Sequence, residues 1–166
     1  MKNALEQLTY GHYILTARKE GDELTTRDKD YIAAGTINWA TQVSFDPPLV
    51  AVAVGQQSDL NETIDYSEHF TLHLLDETQK DWVGKFANPS EIHDNTINDV
   101  KFEIENGQVI LEDVVGYLTC KLRKSVNMGD HTIHFGQVVR QEVCRQGPTL
   151  NTATLPMTYT KSGAEA

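Results

Sequence analysis

Basic residues are scarce: 14 Lys and Arg stand against 24 Asp and Glu in 166 residues, a formal net charge of −10. A surface of that sign repels phosphate backbones and anionic lipid, which argues against nucleic acid and membrane as partners. Long apolar runs are also missing. The longest, Leu49 to Val54, is far short of the roughly 20 residues that a spanning helix needs, and MKNALEQLTYGHY lacks the basic-then-apolar layout of a secretory signal. A cytoplasmic protein is expected, and the Asn61-Glu62-Thr63 sequon then carries no weight. The two cysteines, Cys120 and Cys144, lie in separate strand-like segments without the close spacing of zinc or redox motifs, so both read as reduced packing residues. The glycines form neither G-x-G-x-x-G nor a phosphate-binding loop, which excludes the common dinucleotide folds. Without a G-x-S-x-G elbow, a hydrolase built on Ser44 and His131 has little to stand on. Six histidines raise the question of a metal, but His131 and His134 point to opposite faces of an extended segment. His69 and His73 share a face without a third ligand at a supporting spacing, so no metal is expected.

What is present is a succession of short strands. Residues 3 to 8 suggest a short helix with Ala4, Leu5 and Leu8 on its apolar side, leading into a strand from Tyr10 to Ala17. The charged stretch RKEGDELTTRDKD, 18 to 30, reads as a solvated loop. Leu49 to Val54 suits a strand covered on both faces, and Phe70, Leu72 and Leu74 mark one side of another. Between them Ser58 or Asp59 caps a helix reaching about Tyr66, with Glu62 completing a capping box. Thr78 opens a second helix that carries Trp82, Val83 and Phe86 at helical spacing. Val100, Phe102 and Ile104 alternate into Asn106-Gly107, a hairpin dipeptide, and return through Val109 and Leu111. Alternation resumes at Leu118, Cys120 and Leu122, at Ile133 and Phe135, and at Val139 and Val143. Many short strands with few short helices predict a mainly β protein, a closed antiparallel barrel with helical decoration, as a single domain over 1–166.

One stretch resists a purely structural reading. In NWATQVSFDPPL, 38 to 49, the Asp46-Pro47-Pro48 turn accounts for the acid and the prolines. It does not explain why Thr36, Asn38, Trp39, Thr41 and Gln42 crowd in before it. A flat ligand, part polar and part aromatic, needs that mixture: donors for its carbonyls and apolar cover for its rings.

The segment GTINWATQVSFDPPLVAVAV resembles the signature of the flavin reductase-like domain, the family of FMN-binding split barrels. The likeness continues in order through LTYGHYILT at 8–16, HFTLHLL at 69–75, GDHTIHFGQVV at 129–139 and LPMTY at 155–159. It is weakest from about 88 to 112. The resemblance implies a split antiparallel barrel that binds FMN through Thr36, Asn38, Trp39, Ala40, Thr41 and Ser44. Its phosphate would be met by Ser58 and the free amides of the following helix. It further implies that His131, in Gly-Asp-His, sits near the reactive face of the flavin, the competing account being that Asp130 and His131 only cap a turn. The family's basic residue and Ser-x-Thr pair are altered here: Gln56 and Gln57 stand in place of positive charge and Leu60 in place of the threonine, which predicts looser phosphate binding. The expected activity is NAD(P)H-dependent reduction of flavin by direct hydride transfer to N5, in a homodimer, with a redox partner protein possible as acceptor. The rivals are an FMN electron carrier reduced by a partner protein and a noncatalytic barrel that holds flavin or another small aromatic ligand.

Overall fold

The computed structural model describes residues 3–21, 31–153 and 155 in full, and 158–160 and 163–165 along the backbone. The charged stretch from residue 22 onward lies outside these, and LPMTY is described only at Leu155 and along the backbone of Thr158 and Tyr159.

The strands are β1 (Tyr13–Lys19), β2 (Tyr31–Ile37), β3 (Ala40–Ser44), β4 (Leu49–Gly55), β5 (His69–Leu74), the short pair β6 (Ile92–His93) and β7 (Thr96–Ile97), β8 (Val100–Glu105), β9 (Gln108–Leu111), the long pair β10 (Gly116–Met128) and β11 (His131–Val143), and a terminal hairpin of β12 (Thr158–Thr160) and β13 (Gly163–Glu165). The helices are α1 (Asp59–Ser67) and α2 (Lys80–Lys85). Seven strands form one antiparallel sheet in the order β2-β1-β5-β10-β11-β4-β3, and β6 to β9 form a second in sequence order. The outermost strands of the large sheet, β2 and β3, are successive pieces of one stretch of chain, parted only by Asn38 and Trp39. Counting antiparallel steps across the sheet shows that they also run in the same direction. Residues 31–44 therefore pair with β1 in their first part and with β4 in their second, and the sheet closes into the expected split barrel.

The barrel interior holds Leu15, Ala33, Ile37, Val52, Phe70 and Cys120, with Leu60 and Ile64 of α1 plugging one end. Space in the wall is tight at Gly136, where a Cβ would fall 2.4 Å from the Phe70 ring and 2.7 Å from Cys120. A second apolar cluster lies outside the barrel, where Ile14, Ala34 and Tyr117 meet Val83 of α2, Phe86 at its C-terminal cap, and Val109 and Leu111 of the β8–β9 hairpin. That hairpin turns through Asn106 and Gly107, with φ of 49° and 80°, as the dipeptide predicts. Among the described residues no helix is long and apolar enough to cross a membrane.

Several elements differ from expectation for local reasons. The N-terminal segment makes only a 3₁₀ turn, Leu5–Gln7, and its apolar Leu5 and Leu8 are exposed. Strand β1 starts at Tyr13 because Tyr10 to His12 are engaged by the C-terminal segment: Thr152 N donates to Tyr10 O and His12 N to Leu150 O. Strand β4 alternates instead of being covered on both faces, with Val50, Val52 and Val54 buried and Leu49, Ala51 and Ala53 half-buried. Helix α1 is capped by Ser58, whose hydroxyl accepts from Asn61 N at 3.1 Å. Asp76, not Thr78, begins the next helical segment through a capping box with Gln79, and a 3₁₀ turn, Glu77–Gln79, precedes α2. Cys120 is buried, whereas Cys144 lies past the end of β11 and is exposed, so it is no packing residue.

His73 shows how β5 is fastened. The side chain is fully buried; Nδ1 donates to the Ile14 carbonyl at 3.0 Å, and Nε2 accepts from Leu111 N at 3.1 Å. Burial lowers its pKa to about 4, against the smaller opposing pull of the backbone bonds. Between about pH 4 and 6.5 the unfolded chain then binds the extra proton. The contribution of this residue is complete above pH 6.5 and is lost as pH falls toward 4, roughly 3 kcal/mol in all. Imidazole NMR resonances of His73 should keep the Nδ1–H tautomer from pH 7.5 down to 5; protonation near pH 6.5 would contradict this assignment.

Candidate functional site

The corner where the closing strand changes partners gathers most of the polar residues noted in the sequence. Ala33 and Ile37 face the barrel interior and so does Ala40, so the alternation slips by one residue between 37 and 40. Such a slip re-aims side chains, here Asn38 inward and Trp39 outward. Asn38 is 6 % exposed and Trp39 48 %. The ladder resumes at once, since the Trp39 carbonyl accepts from Ala53 N at 2.9 Å. The Asn38 amide faces the fully buried His12, 3.3 Å from Nδ1 as oriented through Oδ1, and its Nδ2 is buried without a partner.

The Trp39 ring lies against His131, with centroids 4.9 Å apart and planes tilted by 49°. His131 opens β11 opposite Gly55, and its Nδ1 is 2.7 Å from the Asp130 carboxylate. A carboxylate only accepts, so Nδ1 carries the proton and a neutral His131 presents Nε2 as an acceptor. Gln56 joins this turn to the start of α1. Its Nε2 donates to the carbonyls of Gly129 (3.0 Å) and His131 (3.2 Å), and its backbone N to Asp130 O. Asn61 continues the fastening: its Nδ2 donates to Gln56 O at 3.2 Å, and its Oδ1 lies 2.7 Å from Nε2 of His134. His134 is fully buried, and desolvation lowers its pKa against the opposing charge of Asp65.

At the barrel end opposite α1 lies a groove of about 240 Å³, which Ala40 and Thr41 of the closing stretch also line. Its walls are Leu72, Leu74, Leu118 and Val138, with Tyr13, Thr41, Gln42 and Gln141 supplying polar atoms. It runs under the Asp46-Pro47-Pro48 turn, whose Asp46–Pro47 peptide is cis.

The anticipated residues thus fall into groups. Trp39 and His131 come together at the corner, Asn38 turns inward there to His12, Ala40 and Thr41 line the groove, and Ser44 lies farther along β3 opposite Leu49. The Thr36 hydroxyl turns to the outer layer and donates to Val83 O at 2.8 Å, leaving only acceptor capacity. The Ser58 hydroxyl serves the helix cap and donates to Gly55 O at 2.8 Å. His12, Tyr13 and Gln56 were not anticipated. Alternation placed Tyr13 on a strand face but could not show which barrel end stays open, and Gln56 was read as an absent charge when its amide is a clasp.

Comparison with known proteins agrees with this architecture. The family model of the flavin reductase like domain matches residues 5–165. A high molecular weight rubredoxin of Moorella thermoacetica is 29% identical over 159 residues, 94% of this chain and 62% of that protein. An NADH-dependent flavin reductase of Rhodococcus sp is 28% identical over 138 residues, covering 83% of this chain and 73% of its own length. The flavin reductase PheA2 in its native state superposes with a TM-score of 0.73 at 26% identity, over 90% of this chain and 88% of that one. The chain spans less than two thirds of the length of several curated relatives that it matches. With the match running through nearly every described element, the chain belongs to the flavin reductase like domain family.

Proposed function

We propose that this chain acts as an NAD(P)H-dependent flavin reductase, with residues 1–166 as one domain and FMN as its flavin. The observation that carries the reading is the unpartnered, buried amide of Asn38, next in sequence to the Trp39 ring that lies against His131 and two residues before Ala40 and Thr41, which line a groove with apolar walls. Leaving such an atom unsatisfied costs about 1–3 kcal/mol, a cost that a ligand with a complementary group removes. The polar set suits a flavin: the Asn38 amide and the Thr41 hydroxyl, which donates to Gln42 O at 3.2 Å and keeps acceptor capacity, with backbone groups of 36–44 for the ring edge and ribityl chain, Ala40 and the groove for apolar contact, Ser44 at the far end. When bound, flavin supplies the redox chemistry, taking a hydride at N5 from a reduced nicotinamide.

The side chains have distinct tasks on this reading. Trp39 offers a flat, half-exposed wall that excludes water and aligns rings. His131, held by Asp130, presents Nε2 to accept from a donor such as a carboxamide N–H; it orients and neither attacks nor forms a covalent bond. For the phosphate, the Ser58 hydroxyl is already committed to Gly55 and Asn61, and the Gln56 amide to the Gly129–His131 turn. That leaves the first N–H groups of α1, at Asp59 and Leu60, and the exposed Gln57. A cytoplasmic location follows from dependence on NAD(P)H. A homodimer is favoured by Phe45, 91 % exposed, and by exposed Val43 and Val139. The turn bearing Phe45 abuts β11, where Val138 N donates to Pro48 O at 2.9 Å. Electrons leave to free acceptors or to a redox partner protein.

Stopped-flow absorbance at the flavin band, after mixing FMN-loaded protein with NADH or NADPH, should show rapid bleaching, slowed at least tenfold in His131→Ala. Bleaching only after a reduced partner protein is added would point to an electron carrier, and absence of any flavin complex to a noncatalytic barrel. Replacing Gln57 by Arg should tighten FMN roughly three- to tenfold while leaving riboflavin, which lacks the phosphate, unchanged. In light scattering, Phe45→Glu should convert a dimer to a monomer; a monomeric wild type contradicts the dimer.

A further inference from the structure

The pairing of His12 with Asn38 fixes more than a packing contact. His12 is fully buried, and Nε2 lies 2.8 Å from the carbonyl oxygen of Leu155. A carbonyl only accepts, so Nε2 carries the ring proton, and Nδ1 of the neutral ring needs a donor. Asn38 is the residue that faces Nδ1, and the only donor its side chain has is Nδ2–H. On that assignment the amide takes the reverse of the orientation that sets Oδ1 3.3 Å from Nδ1, so that Nδ2 meets His12 and Oδ1 is left over. In either orientation one polar end of a nearly inaccessible side chain has no partner, and among the described residues this is the sole buried side-chain atom in that position. A purely structural role at a strand crossing would be served at lower cost by an apolar residue.

We propose that His12 is a positioning residue for the ligand site, making Asn38 offer an acceptor oxygen to a ligand N–H or O–H. The proposal rests on the flavin reading above and sharpens it. The edge of an isoalloxazine carries mostly acceptors and a single donor, the imide N3–H, while the ribityl chain carries hydroxyl donors. An oxygen held in place by His12 therefore selects for one of these two sources. The C-terminal segment becomes part of the device, because the Leu155 carbonyl sets the tautomer. That segment is itself pinned across the start of β1 by Gly11 bridging to Asn151 and by Thr152 N donating to Tyr10 O at 2.9 Å, and Leu155 N is tied back to Asn151 O at 2.8 Å.

The test combines a tautomer measurement with a binding cycle. In the wild-type protein, ¹⁵N imidazole shifts of His12 should report Nε2–H with Nδ1 unprotonated; an Nδ1–H tautomer would overturn the proposal whether or not flavin is present. Fluorescence titration with riboflavin should then show at least tenfold weaker binding in His12→Leu and in Asn38→Ala. The double variant should be no weaker than the weaker single, because both remove one device. Urea midpoints taken on the same preparations separate this from general loosening, and His12→Gln, which keeps a polar end, replaces His12→Leu if the latter does not fold. N3-methylriboflavin should bind the wild type more weakly than riboflavin if N3–H is the donor, with the penalty vanishing in Asn38→Ala. Equal binding of the two with Asn38→Ala still weaker assigns the ribityl hydroxyls. Wild-type binding that His12→Leu and His12→Gln leave unchanged overturns the role of His12 alone, whereas a wild type that binds neither flavin overturns both this proposal and the reading beneath it.

Discussion

A single stretch of chain, residues 31–44, has to satisfy two neighbours that are not each other's neighbours. Its first part completes the ladder of β1 and its second part that of β4, so it closes the barrel while passing from one partner to the other. At the passing point the side-chain alternation slips, and the two residues that absorb the slip, Asn38 and Trp39, are released from ordinary inward and outward roles. Period-two alternation governs most of the barrel wall, with further register shifts within the β10–β11 pair and toward the end of β3. At this corner a buried amide and a half-exposed indole stand side by side while the ladder resumes at once through the Trp39 carbonyl.

The rest of the molecule holds that corner still. Three fully buried histidines each span separate parts of the fold: His12, just before β1, reaches the C-terminal segment and Asn38, His73 runs from β5 to β1 and the β8–β9 hairpin, and His134 from β11 to α1. Gln56 then welds the start of α1 to the turn bearing His131. The histidine bonds lie largely where water cannot compete, so each one made is firm and each one lost is expensive. On the proposed reading, the order imposed on Trp39 and His131 is the preorganisation that alignment of two flat rings demands.

Much of this was legible in the sequence because it rests on local pattern. Alternation at Phe70, Leu72 and Leu74 and at Leu118, Cys120 and Leu122 located strands and their inner faces, and Asn106-Gly107 fixed a hairpin. The crowding of amides and hydroxyls before Asp46-Pro47-Pro48 located the corner itself. Illegible were the contacts made over long sequence separations. Nothing near Tyr10 announces that Thr152 and Leu150 take its backbone partners, which is why β1 starts three residues late. Likewise the Thr36 hydroxyl, counted among the ligand contacts, is drawn off by Val83 of a helix 47 residues away. Gln56 looked like a lost charge because its two carbonyl acceptors come from residues 129 and 131.

The direct test of the corner as the seat of the ligand is a ¹⁵N–¹H correlation spectrum recorded while FMN is added to the full chain. Amide shifts should concentrate in residues 36–44, 55–60 and 129–131, with the Trp39 indole N–H among the largest. Shifts gathered on the β8–β9 hairpin with the corner silent would contradict the account.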